Sequence, residues 1–234
     1  MKILGLDSSG LVASVAVVEN DVLLAEYTTD YKKTHSQTLL PMLDELRNMI
    51  DLDMDTVDAI AIASGPGSFT GLRIGSATAK GLGLALDKPI VEVPTLEGLA
   101  WNLWGTDKIV CPLMDARRNQ VYTAAYEFKA EGEGYRLQSV IEQAPVEVLK
   151  MVEKLNCLNR EVIFLGDGVS VYLSAIREYI RVPFYLAPAG CNRQRAAGVA
   201  ALGAVYFVQG KYVTAQDHQP EYLRKSQAER ESEQ

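Results

Sequence analysis

The stretch Ser64–Gly71 reads Ser-Gly-Pro-Gly-Ser-Phe-Thr-Gly and lies between two apolar runs, Val57–Ala63 and Leu72–Leu86. The first run has the length of a buried strand, and the second has the length and spacing of a helix. A strand, a glycine-rich turn and a helix in this order place backbone N–H groups where they attract an anion. The stretch therefore predicts an α/β fold organised around this turn, which we call the glycine loop.

The glycine loop matches neither of the common nucleotide-binding motifs. A Walker loop requires Gly-Lys followed by Ser or Thr, but Gly71 is followed by Leu72 and Arg73. The dinucleotide fingerprint requires its third glycine one residue earlier than Gly71. The alternative is a turn that lets the helix pack closely against the strand, and the residues leave both interpretations open. The candidates for a vestigial nucleotide or anion site are Asp7, Ser64, Gly65, Gly67, Ser68, Thr70 and Arg73.

The helix predicted at Leu72–Leu86 contains small residues at a spacing of four. Gly75, Ala79 and Gly83 share one face, and only one charged residue, Lys80, interrupts the apolar sequence beyond the first turn. Each interior glycine costs a helix about 1 kcal/mol relative to alanine, but it permits another helix to approach closely. A helix this apolar is buried on most sides, within its own domain or against a second subunit. We favour the second subunit.

A second amphipathic helix is predicted before the glycine loop. Apolar residues recur at helical spacing over Leu39–Leu46, and we place the start near Thr38 because proline, here Pro41, is tolerated in the first turn. The two helices together form the predicted partner or dimer surface. Its residues are Leu39, Met42, Leu43, Leu46, Leu72, Gly75, Ser76, Ala79, Lys80 and Gly83. Glutamate at Gly75 or Ala79 is then expected to abolish dimer and partner binding while the fold is retained.

The order of predicted elements repeats once along the chain. Each half opens with a strand that ends in an aspartate, Asp7 or Asp115, and continues through a turn into a second strand. Each half later contains a strand that runs into a Gly-x-Gly turn, Gly65–Gly67 or Gly166–Gly168. This repetition predicts an internal duplication.

The length of 234 residues allows one large hydrophobic core or two small ones. With the duplication, we place a first lobe at 1–105 and a second, smaller lobe at 106–209. Part of 210–234 is expected to pack back on the first lobe, and the polar tail from Lys225 onward is expected to fray.

Composition and charge exclude several classes of protein. A net charge of −7 argues against unaided binding of nucleic acid, because such proteins neutralise phosphates with clustered Lys and Arg. The densest basic groups, Arg117–Arg118 and the pair Arg193 and Arg195, are too few for a binding stripe. No apolar run approaches the ~20 residues that span a bilayer, and three distant cysteines fit a reducing cytosol. We expect a cytoplasmic protein, with any RNA substrate held by another subunit.

Catalytic constellations are sparse. The chain has two histidines and no His-x-x-x-His or Cys-x-x-Cys pair for a metal. A Ser68–His35–Asp7 triad can be drawn, but no Gly-x-Ser-x-Gly elbow supports it. Aspartates that end strands, here Asp7, Asp115 and Asp167, bind magnesium in phosphotransferases or cap turns, and the residues leave these two roles open.

Several segments together resemble the bacterial TsaB (YeaZ) family, within the duplicated actin-like ATPase (ASKHA, RNase H-like) superfold. The specific part is the twelve-residue stretch Ser64–Gly75, and the resemblance extends over nearly the whole chain. The other matching segments are Leu6–Ser9, His35–Gln37, Leu39–Pro41, Val93–Glu97, Met114–Arg118 and Pro220–Arg224. The resemblance implies an α/β protein of two lobes, each with a mixed sheet flanked by helices.

The resemblance also implies a role in forming N6-threonylcarbamoyladenosine, the modified base beside the anticodon of tRNAs that read codons beginning with A. In this family the chemistry belongs to a related partner, the transferase TsaD, assisted by the ATPase TsaE. TsaB pairs with TsaD through helices of its first lobe and forms a homodimer through the same surface when alone. We therefore expect a noncatalytic subunit with no catalytic residues and no cofactor of its own, which meets tRNA only indirectly.

Two positions bear on this division of labour. The partner family carries metal-ligating histidines spaced His-x-x-x-His in a segment that aligns with Val93–Leu99. This chain has Thr95 and Leu99 at the two ligand positions. Leucine cannot ligate a metal, so the resemblance implies no metal site in this protein.

Two other functions are alternatives from different classes. One is an ASKHA-type small-molecule phosphotransferase that binds ATP between Asp7, Gly65–Thr70 and Gly166–Gly168. The other is a hydrolase that uses Ser68.

Overall fold

The computed structural model describes residues 1–31 and 33–223. The described residues divide into two compact units: unit 1 contains those of 1–95 and 195–223, and unit 2 contains Leu96–Gln194. Within the described ranges, no helix is long and apolar enough to cross a membrane. Arg224 and the tail from Lys225, which enter the sequence predictions, lie outside the described residues.

Each unit is built on a five-stranded mixed sheet. The strands are β1 (Lys2–Asp7), β2 (Ala13–Glu19), β3 (Val22–Thr29), β4 (Ala59–Gly65), β5 (Ile90–Pro94), β6 (Ile109–Asp115), β7 (Gln120–Glu131), β8 (Gly134–Glu147), β9 (Val162–Leu165) and β10 (Phe184–Leu186). The first sheet has the order β3-β2-β1-β4-β5 and the second the order β10-β9-β6-β7-β8. In both sheets, the three strands that come first in the chain (β1–β3 and β6–β8) are antiparallel neighbours, and the two that follow in the chain (β4–β5 and β9–β10) continue the sheet in parallel. The second sheet thus repeats the first, which confirms the predicted duplication.

Helices flank both sheets. They are α1 (His35–Met49), α2 (Phe69–Leu86), α3 (Thr95–Trp101), α4 (Val148–Leu158), α5 (Asp167–Tyr179) and α6 (Ala196–Val208), with a short 3₁₀ turn at Met54–Thr56. In unit 1, α1 packs on β2 and β3, α2 packs on β4, and α6 packs across β1, β2 and β4. In unit 2, α4 and α5 pack on each other and on the second sheet.

Successive side chains of β1 point to opposite faces of the first sheet, so the strand contacts the helices on both faces. Leu4 and Leu6 are fully buried in the same cluster as the inner face of α1. Gly5 points to the opposite face, where a Cβ would overlap the backbone of Ala196 and lie 2.9 Å from the Cβ of Ala200. Glycine at this position therefore lets α6 lie directly on the sheet.

The unit boundaries differ from the lobes predicted at 1–105 and 106–209. Helix α6 belongs to unit 1 because it packs on the first sheet, where a Cβ at Gly203 would lie 2.5 Å from the Cβ of Ala61. The first boundary falls ten residues earlier because Leu96 and Leu99 are buried in a cluster of unit 2. A hydrophobic pattern alone does not show on which sheet a helix packs.

Several local elements differ from the sequence predictions. Helix α1 begins at His35 instead of Thr38, so Pro41 lies in the second turn, where its ring is exposed. Strands β8 and β10 were not predicted. Both are edge strands with many exposed side chains, so neither shows a continuous apolar run.

Candidate functional site

The glycine loop connects the buried strand β4 to α2. The strand ends at Gly65 and the helix begins at Phe69. Ser68 caps the helix, because its side-chain oxygen accepts a hydrogen bond from Gly71 N at 3.3 Å. An N-cap serine satisfies one of the free N–H groups of the first turn, which explains why α2 starts three residues before the predicted start at Leu72.

The turn Asp7–Gly10, which follows β1, packs against one side of the glycine loop. Ser68 N donates to Ser9 O at 2.7 Å, and Ser8 Oγ donates to Gly71 O at 2.8 Å in a buried bond. A Cβ at Gly71 would overlap Ser8 O. The loop therefore needs this glycine for close contact with the chain's own backbone.

The other side of the loop is held by the end of β5 and by the C-terminal part of the chain. Gly65 N donates to Thr95 Oγ1 at 3.1 Å, and Ser64 O accepts from Glu221 N at 2.8 Å. A Cβ at Gly65 would overlap Glu221 O, and a Cβ at Gly67 would overlap the backbone of the Asp7–Gly10 turn. Hydrogen-bonded backbone thus lies against both sides of the loop.

Asp7 lies at the carboxyl end of β1 and is buried. Its Oδ1 accepts hydrogen bonds from Ser9 N at 2.8 Å and Ser9 Oγ at 2.7 Å. Burial raises the pKa of the Asp7 carboxyl to about 6, and the bonds from Ser9 and the nearby His35 oppose this only in part. Asp7 therefore closes its own turn, one of the two roles left open by the sequence.

The structure does not bring together the Ser68–His35–Asp7 triad. Ser68 caps α2 and Asp7 bonds to its own turn, while His35 Nε2 lies 2.9 Å from Gly10 O. Among the described residues, His35 Nδ1 is buried without a hydrogen-bond partner. A catalytic triad needs its base bonded to both the nucleophile and the acid, so this arrangement does not form a hydrolase site.

Three predicted loop residues, Ser68, Thr70 and Arg73, are exposed. The guanidinium carbon of Arg73 lies 4.0 Å from the centre of the Phe69 ring, and this ring packs against Tyr222 at a centroid distance of 4.8 Å. Stacking on an aromatic face stabilises a cation, which offsets the unfavourable place of an arginine in the first helical turn. A bound anion is not needed to explain Arg73.

The residues predicted to form a partner surface are mostly buried inside unit 1. The buried members are Leu39, Met42, Leu43, Leu46, Leu72, Gly75, Ser76, Ala79 and Gly83. A Cβ at Gly75 would overlap Ser8 Oγ, and a Cβ at Gly83 would lie 2.8 Å from the Cβ of Ala215. The small face of α2 therefore packs against its own unit, which corrects its assignment to a second subunit.

Lys80, the remaining member of the predicted surface, holds a segment that follows α6. Its Nζ donates to Gln216 O at 2.7 Å. In the same segment, the buried His218 places its Nδ1 2.7 Å from Glu92 Oε1, and this hydrogen bond lowers the pKa of Glu92. We call residues 213–222 the C-terminal strap, since they run from the edge of β5 to the glycine loop.

A different face of the two helices is exposed. Ala77 and Gly81 are exposed on α2, and Leu84 on α2 and Leu40 on α1 are each 53% exposed. A Cβ at Gly81 would meet nothing else in the described chain within 4 Å. We call Leu40, Ala77, Gly81 and Leu84 the outer face. Its signal in the sequence is a second spacing of four, Ala77, Gly81 and Ala85, beside the row through Gly75.

Unit 2 repeats the aspartate turn at the end of β6. Asp115 Oδ1 accepts from Arg117 N at 2.9 Å, as Asp7 accepts within its own turn, and also from Tyr172 OH at 3.2 Å. Asp167 begins α5, and burial raises the pKa of its carboxyl. Across residues 1–31 and 33–223, no group of three or more His, Cys, Asp or Glu side chains is placed to hold a metal ion.

The two positions aligned with the partner family's histidines are both buried. Thr95 is 1% exposed and its hydroxyl accepts the bond from Gly65 N. Leu99 is 1% exposed within a hydrophobic cluster of unit 2. Because Leu99 has no donor atom, this pair does not fit the metal that the partner family carries.

Comparison with known proteins places the chain in a family. Residues 22–232 match the family described as "TsaD: tRNA N6-adenosine threonylcarbamoyltransferase". The tRNA threonylcarbamoyladenosine biosynthesis protein TsaB of Bacillus subtilis is 34% identical over 98% of this chain and 96% of its own length. Among solved structures, YeaZ from Pseudomonas aeruginosa is 27% identical with a TM-score of 0.79, and the match covers 95% of this chain and 99% of that one.

A more distant structure bears on the fold alone. The inorganic polyphosphate/ATP-glucomannokinase from Arthrobacter is 10% identical with a TM-score of 0.51, over 89% of this chain and 99% of that one. Together with the two repeated mixed sheets, this likeness identifies the duplicated actin-like ATPase fold. Since the family match and the Bacillus relative each extend over nearly the whole sequence, the chain belongs to the TsaB (YeaZ) family of tRNA threonylcarbamoyladenosine biosynthesis proteins.

Proposed function

We propose that this protein is a noncatalytic subunit of the complex that forms N6-threonylcarbamoyladenosine in tRNAs reading codons that begin with A. It supports a TsaD-like transferase together with a TsaE-like ATPase, and the transferase carries out the chemistry. The observation that carries the proposal is the exposed outer face of α1 and α2, which adjoins a glycine loop packed by the chain's own backbone.

The packing of the glycine loop supports a role without catalysis. Its two sides are hydrogen-bonded to the Asp7–Gly10 turn and to Thr95 and Glu221. Asp7, which could have served a magnesium ion, accepts its bonds from Ser9. Asp7, Ser64 and Ser68 each form a hydrogen bond to another group of the protein, and we propose that the protein has no resident cofactor.

The outer face supports a protein partner. Its four residues are small or apolar, and a row of such residues lets a partner helix approach closely while it buries apolar surface. Stable protein interfaces bury ~1,600 Å² in total, so the contact includes neighbouring exposed positions of both helices. When the transferase is absent, a second copy of the chain occupies the same face and forms a homodimer.

Reconstitution of the modification reaction tests the proposal. We expect the TsaD-like and TsaE-like proteins of the same organism to form threonylcarbamoyladenosine in tRNA when this chain is added, and to form little without it. The Gly81→Glu variant should lose both the partner and the homodimer in sedimentation velocity, because it places a charge in the outer face. Its fold should be retained, since glutamate is a better helix former than glycine and Gly81 is in open space.

A matched control separates this effect from added charge in general. Ser174 is a small exposed residue of α5, and Ser174→Glu should leave assembly and activity unchanged. If Gly81→Glu behaves like Ser174→Glu, the outer face is not the interface. Tight binding of Mg-ATP to the isolated chain in calorimetry would favour the phosphotransferase alternative, and labelling of Ser68 by a serine-directed reagent would favour the hydrolase.

A further inference from the structure

The turn between β6 and β7 has an unusual backbone. Arg117, Arg118 and Asn119 are consecutive and have φ values of 60°, 56° and 60°. Two backbone bonds fix the turn, one from Ala116 N to Gln120 O at 3.0 Å and one from Gln120 N to Arg117 O at 3.1 Å. The turn therefore holds two adjacent arginines in the left-handed region at the tip of a hairpin.

Arginine is a poor residue for this conformation. Left-handed backbone is tolerated by glycine, asparagine and aspartate, and tight hairpin turns normally use them. The turn between β2 and β3 follows this preference, with Asn20 at φ 48° and Asp21 at φ 64°. The contrast indicates that Arg117 and Arg118 are present for their side chains, at a cost to the backbone.

The two arginines are also without an acidic partner. Both are exposed, and neither forms an ion pair with any residue in the described part of the chain. Two other arginines of unit 2 form ion pairs, Arg160 with Glu127 at 2.6 Å and Arg136 with Glu131 at 3.7 Å. The chain has 30 acidic and 23 basic residues, so two adjacent arginines without an ion pair on a fixed turn form a local cluster of positive charge.

The aspartate that precedes the two arginines in the sequence is already hydrogen-bonded. Asp115 Oδ1 accepts the N–H of Arg117 and the hydroxyl of Tyr172, so it holds the backbone of the turn. The guanidinium groups are left to bind an anion from outside the chain. Guanidinium is the side-chain group best matched to phosphate, because its planar fork donates two parallel hydrogen bonds.

We infer that the Arg117–Asn119 turn contacts phosphate groups of the RNA backbone when the complex holds its tRNA. The inference rests on the proposed function, which supplies a tRNA as the substrate. A chain with a net charge of −7 does not hold RNA alone, so the turn adds two positioning contacts to binding by the partner. Contacts to phosphate carry no sequence information, so many tRNAs fit equally well.

Salt dependence of RNA binding tests the inference. A fluorescein-labelled RNA stem-loop is titrated with the complex of this chain and its TsaD-like partner at several salt concentrations. Each lost phosphate contact lowers the slope of log affinity against log salt by about 1. The double variant Arg117→Gly/Arg118→Gly should therefore lower the slope by about 2 and weaken binding by about tenfold or more at low salt.

Two control variants sharpen the result. Arg136→Ala removes an exposed arginine of the same unit and should leave the slope unchanged. Asp21→Gly changes a turn that already suits left-handed backbone and should change neither the slope nor the thermal midpoint. Arg118→Gly should raise the thermal midpoint while it weakens RNA binding, a combination that a merely structural role of the arginine does not produce.

The experiment distinguishes failure of the inference from failure of the proposed function. If the complex does not form, the proposed function fails and the inference falls with it. If the complex forms and binds RNA but the double variant keeps the wild-type slope, only the inference is overturned. If the wild-type complex binds labelled polyglutamate and the double variant does not, while both bind RNA with the same salt slope, the turn is assigned to an acidic peptide and the inference is overturned.

Discussion

Replacing Gly75 with alanine measures how closely α2 packs on the turn after β1. A Cβ at this position would overlap Ser8 Oγ and lie 3.1 Å from Ile62 Cδ1. Ser8 Oγ cannot simply rotate away, because it donates the buried 2.8 Å hydrogen bond to Gly71 O. The added methyl group therefore has to displace a bonded side chain or the helix itself.

The expected magnitude follows from three opposing effects. Alanine in a helix interior gains about 1 kcal/mol over glycine. Overpacking costs ~1–3 kcal/mol, and a buried polar group left without its bond costs ~1–3 kcal/mol. The variant Gly75→Ala should therefore lower the free energy of unfolding by about 1–5 kcal/mol. In Gly81→Ala only the first effect operates, because no other part of the described chain lies near that position, so this variant should gain up to about 1 kcal/mol.

Urea unfolding of the two variants and the wild type, followed by far-ultraviolet circular dichroism, gives both free energies under the same conditions. The two substitutions are chemically identical and lie in the same helix, so their difference isolates the contact between α2 and Ser8. If Gly75→Ala were as stable as Gly81→Ala, α2 would not pack through its Gly75 face. The prediction that the Gly75 face binds a second subunit would then be restored.

Three further predictions concern buried groups of unit 1. The folded pKa of Asp7 is raised above its ordinary value of 3.8 to about 6, so its contribution to stability is full below pH 3.8 and is lost as the pH rises to about 6. The free energy of unfolding of the wild type, measured in urea, should therefore fall by about 3 kcal/mol between these two pH values, and Asp7→Asn should abolish this fall. The pKa of Glu92 is lowered by the hydrogen bond from His218, so the stability that this bond contributes is present above the ordinary value of 4.5 and is lost as the pH falls. Glu92→Ala should lower the free energy of unfolding by ~1–3 kcal/mol, because it leaves the buried His218 unpaired. Faster amide exchange in the C-terminal strap would show this loss. Leu39 is 1% exposed, so Leu39→Ala should cost ~2–5 kcal/mol in thermal unfolding, whereas Leu40→Ala on the outer face should cost far less.

The repeated order of strands was predictable because buried strands leave a strong mark on a sequence. Each central strand, such as β4 or β6, is buried on both faces and therefore reads as an unbroken apolar run. The glycine loop was predictable for a related reason, because Gly65 has a φ of 138° and contacts backbone where a side chain cannot fit. The edge strands β8 and β10 lacked this mark because half of their side chains meet solvent.

The buried face of α2 was not predictable from periodicity, since the helix has two rows of small residues. The row through Gly75 and Gly83 is buried by distant parts of the chain. Ser8, which contacts Gly75, lies 67 positions before it, and Ala215, which contacts Gly83, lies 132 positions after it. The row through Gly81 has the same spacing and meets neither segment. The local sequence shows that two faces of α2 can accept close contact. Only contacts with distant parts of the chain determine which face is buried within unit 1. The cytoplasmic location and the absence of a cofactor stay predictions.

Because the fold is duplicated, each unit has a turn after its own first strand, β1 or β6, and the two turns differ in their side chains. Both turns are built on the same hydrogen bond, in which the backbone N–H two residues later donates to the aspartate carboxylate, at Asp7 and at Asp115. In unit 1 the turn carries small serines, which fit against the glycine loop and are buried there. In unit 2 the corresponding turn carries Arg117 and Arg118, which no contact within the described chain requires. Because the scaffold is shared, the two arginines are not needed to build the fold, which agrees with the proposal that the second turn binds phosphate.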